Sequence, residues 1–430
     1  VLLLEIIVSR KQRLPKLSLL FVPPIGGGME IIMAEVISYK DVYPQNKKVN
    51  IKANLDEAHS PFKVLAYPEL IRQYTQEKEI RPMHIRVGIT NACNIRCKFC
   101  NYHSENEKDF YDVFDYHDKL DTESLIRFFR DFAKDGGKAV TFCGSGEPTL
   151  HEGYKEMCYD LDLNGVKVGV ITNGTLFNNY DLLKCVAQTH TWVRIGMNAG
   201  SAETYSKITG SPAKNFEYIL NAIKYLKENS SKKDFRIGVN LVITLDNCEE
   251  IVLATQLAKT AGADYIRFEP EFYTELAHQT IYEKMDQIID NLNAAKELED
   301  EYFQVSIPKI DRGPMNKTEI VEGRFTTCHY SHFVTALGAD GYIYPCPQIH
   351  LGAKYRMGSP IQMGYQEWRN SGQQEQWREE HPDRREFCKT CFYRPQNELL
   401  DGLMNGTIEF DATVMDFANN HPSVLHKEFV

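Results

Sequence analysis

No apolar run in these 430 residues is long enough to cross a bilayer. Basic residues are outnumbered, Lys+Arg 49 against Asp+Glu 59, and a net charge of -10 leaves no broad surface for nucleic acid or for an anionic membrane. A local basic pocket is compatible with that balance. The opening apolar run lacks the basic n-region of a signal peptide, since Arg10, Lys11 and Arg13 follow it instead of preceding it. An odd total of 11 cysteines without such a signal fits metal ligation in a reducing compartment better than a disulfide framework, so the expected location is the cytoplasm. A start at Val1, with Gly26-Gly27-Gly28 just before Met29, points to a native start at Met29 or Met33 and to residues 1–28 as a start-site artefact.

What is present is a globular composition, 43% hydrophobic and 25% charged, in a chain long enough for two to four domains. Seven cysteines fall into two groups with ligand-like spacing, and Cys143, Cys158, Cys185 and Cys248 stand alone as packing residues. The first group is Cys93-Asn94-Ile95-Arg96-Cys97-Lys98-Phe99-Cys100, directly after the alternating apolar run Met83 to Ile89. Iron–sulfur clusters normally take four Cys ligands, so a loop that supplies three implies one open position for a chelating small molecule. A zinc site or buried thiols would be the bland alternative, but structural zinc sites show paired C-x-x-C spacing.

From Met83 to about Asp300 strand-like and helix-like stretches alternate with short connections, which predicts parallel strands with helical crossovers. Six such units make an open barrel. In parallel barrels ligands sit at the carboxyl ends of the strands. The second strand ends in Gly144-Ser145-Gly146-Glu147-Pro148, where glycines allow close backbone approach and Glu147 suits an ammonium group. Asn173 ends the third strand. On the fourth, Arg194, Gly196 and Asn198 share a face by the two-residue period, and on the sixth Tyr265, Arg267 and Glu269 do so. Arg267 and Glu269 are candidate catalytic residues, able to bind a polar substrate, to move a proton or to pair with each other.

The second cysteine group follows the barrel. Cys328 and Cys346 flank a hairpin turning at Gly338 to Gly341, and Cys388-Lys389-Thr390-Cys391 adds a C-x-x-C knuckle. Four thiolates in two pairs fit zinc as well as a cluster.

The C-x-x-x-C-x-x-C loop with Phe99 before its third cysteine resembles the signature of the radical S-adenosylmethionine (SAM) superfamily. The Gly144–Pro148 segment resembles the family's Gly-Gly-Glu-Pro motif, with Ser145 in place of its first glycine. The spacing from Cys328 to Cys346 resembles the start of the SPASM and twitch patterns, and because no Cys follows Cys391 the shorter twitch form is the better match. The resemblance implies an α/β fold with a partial (β/α)6 TIM-like barrel over 83–305 and a twitch-like auxiliary cluster domain over 306–400; outside it, the Pro-broken polar stretch reads as an N-terminal extension over 1–82, and a tail over 401–430 is expected to fold back against the barrel mouth. The resemblance gives Cys93, Cys97 and Cys100 to a SAM-binding 4Fe-4S cluster, and Cys328, Cys346, Cys388 and Cys391 to a second, auxiliary 4Fe-4S cluster. Phe99, Gly144, Ser145, Gly146, Glu147, Asn173, Arg194, Asn198 and Ile243 are assigned to SAM, Ile243 as apolar support for the adenine. The implied activity is that of an oxidoreductase or epimerase: reductive cleavage of SAM to a 5′-deoxyadenosyl radical, then hydrogen abstraction from a sugar, amino sugar or aminocyclitol. The expected electron donor is a reductant such as flavodoxin or ferredoxin, with no nucleic-acid or membrane partner. Peptide modification within the same superfamily is the first alternative, and a non-catalytic zinc-binding interaction protein the second.

Overall fold

The computed structural model describes residues 62–77, 80–103, 112–271, 283–307, 325–384, 388, 391 and 393–430, and the expectations for residues 1–61 lie outside them. Helix α1 (Pro68–Glu77) precedes a sheet whose first seven strands run parallel in chain order. These are β1 (His84–Val87), β2 (Ala139–Phe142), β3 (Lys167–Thr172), β4 (His190–Gly196), β5 (Arg236–Ile243), β6 (Tyr265–Pro270) and β7 (Gln304–Ser306). Beyond β1 the same sheet continues into the hairpin of β8 (Val334–Leu337), parallel to β1, and β9 (Ile343–Tyr344), antiparallel to β8. The two edges are β7 and β9, so the sheet is open.

The crossovers carry α2 (Thr122–Lys134), α3 (Tyr154–Leu163), α4 (Tyr180–Thr189), α5 (Ala202–Thr209), α6 (Lys214–Asn229), α7 (Ile251–Ala261) and α8 (Met285–Lys296). Their placement follows from local chemistry. Asp121 caps α2 by accepting from Ser124 N at 3.0 Å, and Leu125, Ile126, Phe128, Phe129 and Phe132 recur at helical spacing and are all buried. Each such side chain contributes about 1.5–3 kcal/mol of burial against the sheet. The stretch 303–307 supplies a seventh parallel strand, since α8 returns the chain to the free edge of β6. The post-barrel segment therefore begins by extending the barrel's own sheet.

The sheet curls. A flat one would separate β1 from β5 by roughly 19 Å, four strand spacings. Yet Lys98, after β1, pairs with Asp246, after β5, at 2.9 Å. Alternation then gives each strand two faces. On β4, Val193 and Ile195 are fully buried toward the helices, whereas Trp192, Arg194 and Gly196 keep some exposure toward the lumen.

The end of the chain closes the lumen at the amino ends of the strands, not at the mouth, which corrects the expectation for the tail. Phe429 packs edge-on against His84 and Trp192, with centroids 5.4 and 5.5 Å away, and His426 Nε2 donates to Asp234 O at 2.8 Å. Lys63 donates to His426 O and Phe429 O at 3.0 and 3.2 Å, and burial pushes its ammonium down to about 7. The apolar Phe429 finds cover there among the rings of His84, Trp192 and His426. No helix among the described residues is long and apolar enough to cross a membrane.

Candidate functional site

The loop leaving β1 is held on three sides. Asn91, fully buried, donates to Asp115 O at 2.8 Å. The Tyr116 hydroxyl and Arg96 Nη1 both donate to Cys93 O, at 2.8 and 2.7 Å, and the Arg96 guanidinium lies 4.9 Å from the centre of the Tyr116 ring. On the far side, Arg96 N and Lys98 N donate to the carbonyls of Thr209 and Ile208 at the end of α5, at 2.8 and 3.0 Å. Cys93, Cys97, Phe99 and Cys100 are half-buried on this loop. Burial raises the Cys97 thiol well above its usual range, and Cys100 and Cys93 raise it further. Burial likewise raises Cys93, with Glu147 adding to it. Three thiols that oppose one another's ionisation become thiolates together only around a cation, which is what the irons of a cluster supply.

The Gly144–Pro148 loop packs directly on this one. A Cβ at Gly146 would lie 2.4 Å from Thr90 O and 2.5 Å from Ala92 O, so only glycine lets the two backbones approach. Glu147 N then donates to Ala92 O at 2.9 Å. Ser145, where the family motif has glycine, uses its hydroxyl to bond Asn91 Oδ1, tying the two loops. Glu147 is buried, and burial raises its carboxyl, but four donors oppose that. Thr149 N and Oγ1 and Thr172 Oγ1 donate to Oε1 at 3.1, 2.6 and 2.7 Å, and Asn173 N donates to Oε2 at 2.7 Å. Asn173 Nδ2 in turn lies 3.8 Å from Cys93 Sγ and donates to Asn94 Oδ1 at 2.9 Å. One asparagine thus joins the anionic Glu147 to the first cysteine.

Farther round the rim, Asn198 sits in the left-handed region at φ 55, and its Oδ1 accepts from Val242 N at 3.0 Å. Arg194 faces the lumen below it. Arg267 and Glu269 also face the lumen and are paired at 2.8 Å. Ile243 is not brought to the site: its side chain is fully buried in the apolar core behind β5, and alternation turns Asn240 and Val242 to the lumen instead.

Several contributors escaped the sequence reading. Helix α5, which pins the cysteine loop, carries a Ser201 cap and a Gly210 stop that could have revealed it. Asn247 joins β4 to β5 by donating to Asn198 O and Val242 O at 2.8 and 2.7 Å. His350, bonded to Tyr102 at 3.1 Å and held down to about 4 by burial, has no local motif at all.

The second group also converges. Cys328, Cys346, Cys388 and Cys391 line one cavity with about 460 Å³ of space free of atoms, part of it at the open side. Burial raises all four thiols, Cys391 to about 11, and Cys328 adds to the rise at Cys346, Cys388 and Cys391. Asn397 Nδ2 lies 3.8 Å from Cys391 Sγ, and Gln348 N lies 3.4 Å from Cys346 Sγ. His329 is occupied elsewhere, between Tyr74 at 2.8 Å and Asp401 at 3.1 Å. Tyr393 and Tyr330 stack at 4.5 Å in the cavity wall, and the Tyr393 hydroxyl accepts from Arg86 Nη1 in the barrel lumen at 2.7 Å.

Among the described residues no group of three or more His, Cys, Asp or Glu side chains converges on a single ion. Zinc draws its thiolates to bonds of about 2.3 Å. Three thiols on one loop and four lining one cavity are the donor type that iron–sulfur clusters take.

Residues 87–254 match the family described as Radical SAM superfamily. The tungsten-containing aldehyde ferredoxin oxidoreductase cofactor-modifying protein of Pyrococcus furiosus is 23% identical over 286 residues, 64% of this chain and 74% of that protein. The sporulation killing factor maturation protein SkfB of Bacillus subtilis is 25% identical over 272 residues, 62% of this chain and 60% of that protein. Streptococcus suis SuiB, solved bound to precursor peptide SuiA, superposes with a TM-score of 0.51 at 13% identity, covering 71% of this chain and 69% of that one, a likeness of fold. The matched region runs from the end of β1 into α7, across both the three-cysteine loop and Glu147, so residues 87–254 carry a domain of the radical SAM superfamily, whose cofactors are a 4Fe-4S cluster and SAM.

Proposed function

We propose that Cys93, Cys97 and Cys100 hold the SAM-binding cluster and that the enzyme oxidises or epimerises a carbon of a small hydroxylated substrate of the sugar, amino sugar or aminocyclitol type. The observation that carries the site assignment is the chain of contacts from Glu147 through Asn173 to Cys93, which puts an ammonium acceptor beside a three-thiol loop. Bound together, the cluster and SAM supply a 5′-deoxyadenosyl radical able to take hydrogen from an unreactive carbon.

The chain's own residues orient and shield. Glu147 fixes the amino group of SAM, its carboxylate already oriented by Thr149, Thr172 and Asn173 so that little reorganisation accompanies binding. Asn198 borders the ribose side. The tail closes the far end of the lumen and keeps water out from below. Cys328, Cys346, Cys388 and Cys391 would hold the auxiliary cluster, with all positions filled, as an electron acceptor, and the stacked Tyr330 and Tyr393 stand between it and the lumen. A flavodoxin- or ferredoxin-like protein would supply the electron.

Peptide modification is the second reading, favoured by the similarity to SkfB, a maturation protein. The test is an anaerobic assay of reconstituted enzyme with SAM, a reductant, and either a panel of sugars or the product of a short neighbouring precursor gene. Release of 5′-deoxyadenosine stimulated by a sugar supports the first reading, stimulation by the peptide replaces it with the second, and no release under either condition rejects both.

A further inference from the structure

Four arginines lie on the lumen face of the described strands: Arg236 at the amino end of β5, donating to Phe235 O at 3.0 Å, and nearer the rim Arg86 from β1, Arg194 from β4 and Arg267 from β6. Their counter-charges do not balance. Arg267 is paired with Glu269 at 2.8 Å. Arg86 donates to the neutral phenol of Tyr393. Arg194 is half-buried and has no hydrogen bond or ion pair among the described residues. Burial and the Arg267 charge push it below the usual arginine range, with Tyr265 and Glu269 acting the other way and Arg86 adding to the depression. A half-buried cation facing two others is unfavourable unless something negative joins it.

The space above Arg194 is open. Two residues on, toward the rim, β4 has Gly196, where a Cβ would approach only Asn198 Nδ2 closely, at 3.1 Å, and the neighbouring Thr172 O at 3.8 Å. The β4 column therefore reads guanidinium, gap, then Asn198 at the level of the SAM motifs. A molecule seated on Arg194 would present its other end toward the three-cysteine loop.

We infer that Arg194, flanked by Arg86 and Arg267, is the seat for an anionic group of the substrate, a carboxylate or a phosphate. This rests on the function proposed above and narrows it: within the hydroxylated class the enzyme selects members that carry an anion, and it disfavours ammonium-bearing ones such as aminocyclitols. Charge-assisted hydrogen bonds of this kind are worth about 1.5–3 kcal/mol, so loss of the seat costs roughly tenfold to hundredfold in affinity.

The test is calorimetric titration of the reconstituted, SAM-saturated protein with four probes built on one pyranose ring: glucose 6-phosphate, glucuronate, glucose and glucosamine. Either anion should bind at least about tenfold tighter than glucose, with glucosamine weakest, and the better of the two names the group. Arg194→Gln should abolish the preference and Arg194→Lys should retain part of it. Arg267→Gln serves as the second variant, and the wild-type preference decides the matter even where a variant melts early. The proposal is overturned if the anions bind no better than glucose, if the preference survives Arg194→Gln, or if the anions compete with SAM, which would give these arginines to the SAM carboxylate. Release of 5′-deoxyadenosine is measured on the same sample. Anion preference without SAM cleavage would remove the enzymatic reading and leave the seat, whereas SAM cleavage without anion preference would do the reverse.

Discussion

Cys93, Cys97 and Cys100 lie on a single loop, under a buried carboxylate and beside an open lumen, whereas Cys328, Cys346, Cys388 and Cys391 are gathered from across the post-barrel segment around one cavity walled by tyrosines. Both groups are reduced thiols raised by burial, so ligand chemistry does not distinguish them. Number and neighbours do. On the proposed reading, three thiols beside Glu147 and Asn173 would leave a corner for a molecule with an ammonium group, and four thiols beside Asn397 and a stacked aromatic pair would leave none. The same kind of centre would then serve in one place as a site of chemistry and in another as a store for an electron.

That contrast can be broken most severely at its first half. Cys97→Ala should lower SAM cleavage at least about a thousandfold, read as 5′-deoxyadenosine, and retention of full activity would remove the assignment. Glu147→Gln should weaken SAM binding by about tenfold to hundredfold, since a charge-assisted bond becomes a neutral one at a buried site. Cys388→Ala should leave SAM binding intact, lower the iron content from about eight to about four per chain, and reduce product while sparing uncoupled SAM cleavage. Stoichiometric zinc with no iron after anaerobic reconstitution would instead favour the non-catalytic interaction protein.

Much of this was legible in the sequence, for physical reasons. The three-cysteine loop, Gly144–Pro148 and Asn173 are each local, and strand alternation alone puts them at the same barrel end. The six strands of the expected barrel needed only the two-residue period and the apolar face of each helix, whereas the parallel pairing of β7 and β8 at the two ends of that series was not read. Ile243 was misjudged because the end of β5 reads the same from either side: Val242 and Ile243 are both aliphatic, and only the sheet's curl decides which one sees the lumen. The tail was unreadable because its anchors, Lys63, His84, Trp192 and Asp234, are scattered over the chain and meet only the isolated His426, Phe429 and Val430. Helix α5 has only eight residues, with few apolar positions to set a period.

The smallest effect concerns the whole fold instead of either cysteine group. Burial holds His84, His190 and His426 down to about 3 and His350 to about 4, all below the usual 6.5. These imidazoles are neutral in the native protein, while the unfolded chain takes up protons below 6.5. Their contribution is complete above that value and is lost as the pH falls from 6.5 toward 3. Stability from urea unfolding should rise from pH 5 to pH 8, the imidazoles acting below 6.5 and the depressed Lys63 ammonium above about 7, and should fall by more than about 1 kcal/mol between pH 7 and pH 5. A midpoint that rose on acidification would contradict the buried placement of these rings.

The claim on which the rest depends is that SAM meets the three-thiol centre and not the four-thiol one. Electron paramagnetic resonance of the reduced, reconstituted protein, with and without SAM, tests it directly. SAM should shift the signal of one cluster only, and that shift should persist in Cys388→Ala and vanish in Cys97→Ala. A spectrum indifferent to SAM, or a shift that survives Cys97→Ala and is lost in Cys388→Ala, would contradict the account.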